Sequence, residues 1–261
     1  MSNHMFDAVR SAAARRGATL IESAGGRAWT YGEMLDLSGR LAARLAACGV
    51  KPGDRIAVQV DKSPEALMLY LASLRAGSVY LPLNTAYTLA ELDYFLGDAE
   101  PRLVVVSPEA GAAIGPVAAR HGARVETLDD CGGGSLMSGI ESWNADFADV
   151  ARGPDDLAAI LYTSGTTGRS KGAMLTHDNL LSNATTLRDH WRFTAGDRLI
   201  HALPIFHTHG LFVASNVTLL AGASMYFLPR FDADEVLRLM ASATVMMGVP
   251  TFYVRLVQHP G

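Results

Sequence analysis

One short segment of the chain concentrates side chains that could bind a polyphosphate. The segment 162–175, YTSGTTGRSKGAML, directly follows the apolar run LAAIL at 157–161. Its first eleven residues contain three glycines, one lysine and, apart from Ser170, five hydroxyl side chains. The hydroxyls belong to Tyr162, Thr163, Ser164, Thr166 and Thr167. Glycines let backbone N–H groups approach an anion, hydroxyls donate to nonbridging oxygens, and Lys171 adds a mobile positive charge, so the segment predicts a phosphate-binding loop.

The spacing differs from that of a Walker A loop, in which Gly-Lys-Ser/Thr leads into a helix. Here Lys171 stands between Ser170 and Gly172, and the residues 173–176 that follow have the character of a strand. We therefore expect a β-hairpin whose loop covers the phosphates. The alternative is a polar hairpin tip without a ligand, because most loops rich in Gly, Ser and Thr are only flexible connections.

Two histidines form a second candidate group, in the segment LPIFHTHG at 203–210. His207 and His209 could bind a carboxylate or take part in a zinc site, although no suitably spaced cysteine or carboxylate accompanies them. His209 could instead cap the helix that follows it. The apolar residues after His209 have the spacing of a buried helix, which favours a core role over a pocket lining.

Alternating strands and helices must position these residues. Strands are predicted at 55–60, 79–83, 102–107, 123–128, 156–163, 198–203, 224–228 and 243–249, and the later helices at 178–191, 209–221, 232–241 and 251–258. Ser63-Pro64 predicts one helix start, and the capping box Thr88-x-x-Glu91 predicts another. Gly77 is expected to end the first of these helices. Strands separated by helices of this length indicate parallel crossovers, so the expected fold class is α/β.

The alternation is interrupted once. Residues 131–154 contain three consecutive glycines and several acidic residues without periodicity, which indicates a surface excursion or linker. We therefore expect a first α/β subregion at 1–150 and a second at 151–261.

The composition excludes several functional classes. The chain has 261 residues, of which 49% are hydrophobic, and a net charge of −4 without a basic cluster, so no surface for nucleic acid is expected. Cys48 and Cys131 are far apart and outside any CxxC pattern, which indicates reduced thiols.

With no signal-peptide pattern in residues 1–16, we expect a cytoplasmic protein. The uncharged stretch 199–229 is interrupted by Pro204 and the polar run HTHG, so no membrane span is expected.

The segment TSGTTGRSKGAML resembles the phosphate-binding motif of the adenylate-forming (ANL) superfamily, which includes acyl-CoA synthetases, luciferases and adenylation domains of peptide synthetases. The segment 77–105, with its Pro82-Leu83-Asn84 step, resembles the upstream motif of that family, and LPIFHTHG resembles its acyl-pocket motif. The resemblance covers essentially the whole chain. The residues of these segments are most similar to those of malonyl-CoA synthetases. It implies the N-terminal portion of the large domain, with mixed and parallel sheets flanked by helices.

The resemblance implies a reaction in two steps. The carboxylate of an acid attacks the α-phosphate of MgATP and releases pyrophosphate, and the thiol of coenzyme A then attacks the acyl-adenylate. The loop holding the β- and γ-phosphates corresponds to Thr163, Ser164, Gly165, Thr166, Thr167, Gly168 and Lys171.

Individual roles follow from the same resemblance. Thr163 and Thr166 match the main hydroxyl contacts, Thr166 is also assigned to magnesium, and Lys171 supplies charge. His207 matches the gate between the acyl pocket and the phosphates, and with His209 it could bind the substrate carboxylate. Lys171, Thr166 and His207 are therefore the expected catalytic residues.

The substrate is a small acid, for which malonate is the first expectation. Its second carboxylate needs a paired cation if it is buried. Arg230 and Arg255 lie near element ends and have the character of surface or packing charges. Methylmalonate, another short or aromatic acid, or a non-catalytic nucleotide-binding chain remain alternatives.

Several family motifs do not occur in these 261 residues. They are the adenine and magnesium motif, the ribose-binding aspartate, and the small C-terminal domain with its catalytic lysine. We therefore expect an N-terminal fragment that is inactive by itself and that self-associates through an incompletely covered apolar face.

Overall fold

The computed structural model describes residues 2–23, 25–163 and 170–261. The helices are α1 (His4–Ala12), α2 (Tyr31–Ala47), α3 (Pro64–Ala76), α4 (Leu89–Ala99), α5 (Pro108–Arg120), α6 (His177–His190), a π-helix (His209–Ser215), α7 (Asn216–Ala221), α8 (Ala233–Met240) and α9 (Pro250–Val257). The strands are β1 (Thr19–Ser23), β2 (Ala28–Thr30), β3 (Arg55–Gln59), β4 (Val79–Pro82), β5 (Leu103–Val106), β6 (Arg124–Thr127), β7 (Leu157–Thr163), β8 (Lys171–Thr176), β9 (Arg198–His201), β10 (Ser224–Phe227) and β11 (Val245–Met247).

The chain divides into two compact units that each contain one sheet. The first unit comprises Met1–Asp7 and Leu35–Leu181, and the second comprises Ala8–Met34 and Ser182–Gly261. We expected a division at residue 150 into two consecutive segments. The observed units are instead defined by which strands pair, so each combines two separate parts of the chain. The hairpin β7–β8 belongs to the first unit because Ala159 of β7 pairs with Tyr80 of β4.

The sheet of the first unit has six strands in the order β6-β5-β3-β4-β7-β8. Neighbouring strands are parallel from β6 to β7, and only the last strand, β8, runs antiparallel to its neighbour. Hydrophobic side chains of β3, β4 and β5 pack against α4 and α5 to form a buried core. Parallel strands of this kind are expected where helices cover the sheet faces.

Local sequence signals start the helices of this unit where they were predicted. The Ser63 hydroxyl accepts a hydrogen bond from the Ala66 amide at 3.1 Å, and Pro64 begins α3. Gly77 ends that helix in the left-handed conformation, with φ of 67°. Thr88 and Glu91 form both hydrogen bonds of the capping box at the start of α4. These predictions are confirmed.

The sheet of the second unit has five strands in the order β11-β9-β10-β1-β2. Strands β11, β9, β10 and β1 run parallel, and the edge strand β2 is antiparallel to β1. A core cluster that includes Ile200, Tyr226, Val236 and Leu239 lies between this sheet and α8. Both units are therefore α/β, and the predicted fold class is confirmed.

The buried helix predicted at 209–221 has an unexpected first half. Residues His209–Ser215 form a π-helix, and only Asn216–Ala221 is α-helical. The carbonyl of Gly210 accepts a hydrogen bond from the Ser215 hydroxyl five residues later, at 3.0 Å, which matches the wider π-turn. A Cβ at position 210 would lie 2.0 Å from the Pro204 carbonyl oxygen, so glycine permits this close approach.

The expected surface excursion at 131–154 is anchored to the first unit. Leu136 and Ile140 are buried, and Ile140 starts a short 3-10 helix. Asp149 forms an ion pair with the buried Arg75, at 2.6 Å. Among the helices of the described residues, none has both the length and the apolar character needed to cross a bilayer.

Candidate functional site

The predicted phosphate-binding segment begins and ends on two paired strands of the first unit. Strands β7 and β8 form an antiparallel pair in which Thr163 lies opposite Lys171, where the two strands meet the loop. Because β7 runs parallel to β4, Thr163 and Lys171 lie at the carboxyl edge of the parallel strands. Ligands of open α/β sheets generally bind at that edge. The predicted hairpin is therefore present and lies at the edge where a ligand is expected.

Both described residues at the loop ends offer groups to a ligand. Thr163 and Lys171 are exposed. Within the described part of the chain, Lys171 forms no ion pair, so its charge is available to an anion. The remaining predicted loop residues, Ser164, Gly165, Thr166, Thr167 and Gly168, lie outside the described residues, and their roles stay predictions.

Tyr162 has a different role from the other hydroxyl residues of the segment. Its hydroxyl donates a hydrogen bond to Asp98 on α4, and its ring lies 4.4 Å from the ring of Phe95. Burial, with the neighbouring Asp98 carboxylate, raises the pKa of Tyr162 above 10. This hydroxyl is therefore already paired with a side chain of α4, in an exposed hydrogen bond, which its position beside Thr163 in the sequence does not indicate.

The connection after β4 is held at the same carboxyl edge. The Gln59 side-chain amide at the end of β3 donates to the carbonyl of Asn84 at 2.9 Å and to that of Tyr87 at 3.3 Å. The half-buried Lys62 follows β3, and burial lowers the pKa of Lys62 well below 10.5. Perturbed titratable groups are frequent at functional sites. Sequence reasoning did not single out Lys62, and its place just after a buried strand was the available signal.

The two candidate histidines lie in the second unit, after β9. His207 is exposed, and the centre of its ring lies 4.6 Å from the centre of the Phe206 ring. Desolvation lowers the pKa of His207 below 6.5, so the ring is neutral at pH 7. A neutral imidazole has one donor and one acceptor nitrogen, which suits a hydrogen bond to a carboxylate.

The alternatives for His209 can be compared with the structure. His209 is the first residue of the π-helix, whereas Thr208 occupies the N-cap position without a side-chain capping bond. Among the described residues, the group with side chains close enough to share a metal ion is Asp129, Asp130 and Cys131. The structure therefore gives no support to a capping role for His209 or to zinc binding by the histidine pair.

A third histidine of this region, His201, was not predicted to have a role. It is fully buried at the end of β9, and its Nε2 lies 2.9 Å from the Gly210 carbonyl oxygen. Since a carbonyl oxygen only accepts, Nε2 carries the proton. His201 thus fixes the start of the π-helix, which begins at His209. The signal in the sequence was a polar residue at the end of the apolar strand RLIH.

The two arginines considered as partners for a second carboxylate have packing or surface positions. The Arg255 guanidinium lies 4.7 Å from the centre of the Phe231 ring, and Arg230 is exposed beyond the end of β10.

The described groups of the hairpin, the Thr163 hydroxyl and the Lys171 ammonium, suit phosphate oxygens. Neither is a ligand for magnesium in the way that a carboxylate is, and Thr166, which was assigned to magnesium, is outside the described residues.

Two mainly parallel sheets, one of which has a polar hairpin at its carboxyl edge, are consistent with a nucleotide-binding class of α/β protein. The model of the AMP-binding enzyme family matches residues 9–261, and the chain belongs to this family. The resemblance to adenylate-forming enzymes is thereby confirmed. MatB from Rhodopseudomonas palustris is 58% identical without ligand and 59% identical with ATP bound, each with a TM-score of 0.97. These matches cover 100% of this chain and 52% of MatB.

Curated relatives differ in the acid that their names give. A feruloyl-CoA synthase of Amycolatopsis is 34% identical over 238 residues, covering 90% of this chain and 46% of the relative. A malonate–CoA ligase of Arabidopsis thaliana is 29% identical over 283 residues, covering 97% of this chain and 46% of the relative. The chain thus spans about half the length of the relatives it matches, and it corresponds to the N-terminal part of an adenylate-forming enzyme.

Proposed function

We propose that the protein containing this chain is an AMP-forming acid–thiol ligase that converts malonate, ATP and coenzyme A into malonyl-CoA, AMP and pyrophosphate. The observation that carries the proposal is the hairpin at the carboxyl edge of the first sheet, where Thr163 lies opposite Lys171, which forms no ion pair with any described residue. The likeness of the whole chain to ATP-bound MatB supports ATP as the nucleotide.

In the first step, an oxygen of the acid's carboxylate forms a bond to the α-phosphorus of ATP. The bond from that phosphorus to the bridging oxygen of the β-phosphate breaks, and pyrophosphate leaves. Lys171 neutralises charge on the β- and γ-phosphates, and the Thr163 hydroxyl donates to a phosphate oxygen. Magnesium, when bound, would neutralise further phosphate charge, and Thr166 is the residue proposed to hold it.

In the second step, the thiolate of coenzyme A attacks the carbonyl carbon of the acyl-adenylate and AMP leaves. His207 is proposed to orient the acid in both steps. Its pKa is below 6.5, so it donates a hydrogen bond to a carboxylate without bringing a charge at pH 7. His209 is proposed as a second contact to the substrate.

Malonate is proposed because several segments of the chain resemble malonyl-CoA synthetases and because malonate–CoA ligases occur among its relatives. The second carboxylate needs a cation, and Arg255 is already packed against Phe231. We therefore place that cation in the part of the relatives that this chain does not span. The 34% identity to feruloyl-CoA synthase favours an aromatic acid as the second candidate.

Acid-dependent AMP release by the complete protein tests this proposal. The acids to compare are malonate, methylmalonate, acetate, benzoate and ferulate, each with ATP, magnesium and coenzyme A. We expect kcat/KM for malonate to exceed that for acetate at least about 100-fold, because a site built to pair a carboxylate rejects an acid that lacks it. We expect the 261-residue chain alone to be inactive.

Each other outcome has a definite meaning. A preference for ferulate or benzoate would replace malonate by an aromatic acid and leave the ligase assignment in place. ATP binding without AMP release for any of the five acids would contradict the ligase assignment and favour a non-catalytic nucleotide-binding protein.

A further inference from the structure

We propose that helix α4 braces both arms of the hairpin, and that Tyr94 and the Asp98–Tyr162 pair are positioning residues that set the affinity for ATP. The inference rests on the proposed function in so far as the hairpin binds ATP. It goes further because it assigns a role in that binding to residues of another element, which precede their partners in the hairpin by 64 and 76 residues.

The contact to the second arm is made by Tyr94. Its hydroxyl donates a hydrogen bond to the carbonyl of Ser170 at 2.8 Å. Ser170 directly precedes Lys171, the residue proposed to neutralise the phosphates. The bond therefore fixes the backbone at the point where the chain returns from the loop into β8.

The contact to the first arm is made through Tyr162, which directly precedes Thr163. Its hydroxyl donates to Asp98, and its ring packs against Phe95 at 4.4 Å and against Tyr94 at 6.3 Å. Tyr94 and Asp98 are four residues apart and therefore lie on the same face of α4. One helix face thus contacts both ends of the loop.

Helix α4 is itself firmly held. The capping box of Thr88 and Glu91 fixes its start, and Leu92, Phe95 and Leu96 are buried in the core of the first unit. A side-chain contact of 2.8 Å between His121 and Asp93 joins it to the end of α5. In contrast, β8 is an edge strand whose first four residues are exposed. The helix can therefore restrain the hairpin.

The functional consequence concerns the ordering cost of binding. Because these contacts hold the backbone beside Thr163 and Lys171 before ATP binds, less conformational freedom is lost on binding, and this preorganisation raises affinity. Removing the brace should therefore raise KM for ATP while leaving the chemical step nearly unchanged. General destabilisation would do the reverse, because it lowers the active fraction, and with it the apparent kcat, at constant KM.

The first test is Tyr94→Phe in the complete protein, which removes one hydroxyl and keeps the ring. We expect KM for ATP to rise about three- to tenfold, as for the loss of one hydrogen bond, with kcat within about twofold and KM for the acid unchanged. Asp98→Ala should act in the same direction, and Asp98→Asn should restore most of the affinity because its amide oxygen can still accept from Tyr162. Tyr87→Phe is the matched control, since Tyr87 packs on the same Phe95 ring at 4.9 Å.

Hydrogen exchange of the ligand-free protein gives a measurement that does not depend on ATP. We expect backbone amides of residues 163 and 170–172 to exchange severalfold faster in Tyr94→Phe and Asp98→Ala than in the wild type or Tyr87→Phe. Unchanged exchange in both variants, or a fall in kcat at constant KM, would overturn the brace. Failure of the wild-type hairpin to gain protection on adding ATP would instead count against the proposed function, with the brace still judged by the ligand-free exchange.

Discussion

The chain contains two hairpins of the same topology and of different chemistry. In each, a strand that is parallel to its inner neighbour turns back into an antiparallel edge strand: β7–β8 in the first unit and β1–β2 in the second. In both hairpins the chain leaves a parallel strand at its carboxyl end, because β7 pairs with β4 and β1 pairs with β10. Position in the sheet therefore does not distinguish a binding loop from a connection.

The side chains distinguish them. The connection at 24–27 ends in Arg27, whose guanidinium lies 3.9 Å from the centre of the Trp29 ring, and its carbonyl accepts a bond from the Ser23 hydroxyl. Lys171 of the first hairpin has no ion-pair partner in the described part of the chain, and Thr163 opposite it is exposed. Function at such an edge therefore depends on which donors and charges are available to a ligand, because the fold alone does not define function.

The largest expected effect comes from removing the positive charge of the first hairpin. Lys171→Ala should slow acyl-adenylate formation by the complete protein about 10²- to 10³-fold, because it removes a charge that stabilises the leaving pyrophosphate. Lys171 is exposed, so the melting temperature should stay within a few degrees of the wild type. Acid-dependent ATP–pyrophosphate exchange measures the rate.

Arg27→Ala is the matched control in the other hairpin. It removes a cation at the same kind of edge, and we expect the exchange rate to remain within about twofold of the wild type. Equal losses in the two variants would show that the two hairpins do not differ in function as argued above, and an unchanged rate for Lys171→Ala would remove the assignment of that lysine.

The next effect comes from a second contrast between the units, that of their buried histidines. His201 in the second unit contacts Gly210 and Ser215, whereas neither ring nitrogen of His177 in the first unit has a hydrogen-bond partner among the described residues. Burial, together with the nearby Arg152, lowers the pKa of His177 to about 4. A chain unfolded at this position has the ordinary pKa near 6.5.

The sign of the pH effect follows from these two values. Between pH 6.5 and 4 the unfolded chain takes up the proton more readily, so the free energy of unfolding falls by about 3 kcal/mol as the pH drops from 7 to 4. His177→Leu removes this loss and should lower the pH dependence by that amount in urea unfolding measured at both pH values. His190→Gln, at an exposed position, is the control. If His177→Leu keeps the pH dependence of the wild type, His177 is not the acid-sensitive group.

Local patterns in the sequence predicted much of the fold and part of the site. The capping residues Ser63 and Thr88, and the hairpin around Lys171, depend on neighbours a few residues away, and such short-range rules can be read from one chain. The resemblance to a known family then supplied the loop residues and the reaction.

Contacts across long sequence separations could not be predicted in this way. Tyr162 and Asp98 are 64 residues apart, and Tyr94 and Ser170 are 76 apart, so no periodicity connects them. The grouping of the β7–β8 hairpin with the first unit depends on strand pairing of the same kind. The π-helix depends on the side chains around one carbonyl, that of Gly210, and an apolar pattern at helical spacing does not distinguish it from an α-helix.

The smallest expected effect again contrasts the two hairpins, through one glycine in each. Gly172 pairs with Tyr162, and a Cβ there would lie 3.0 Å from Ile160 Cγ2 and 3.6 Å from the Tyr162 ring. Gly172→Ala should therefore cost about 1 kcal/mol in urea unfolding, because the Ile160 side chain must move to make room for the Cβ. A Cβ at Gly25 would meet no atom within 4 Å, so Gly25→Ala should be neutral or slightly stabilising. Equal free energies of unfolding for the two variants would show that Ile160 is not packed against Gly172 as closely as described.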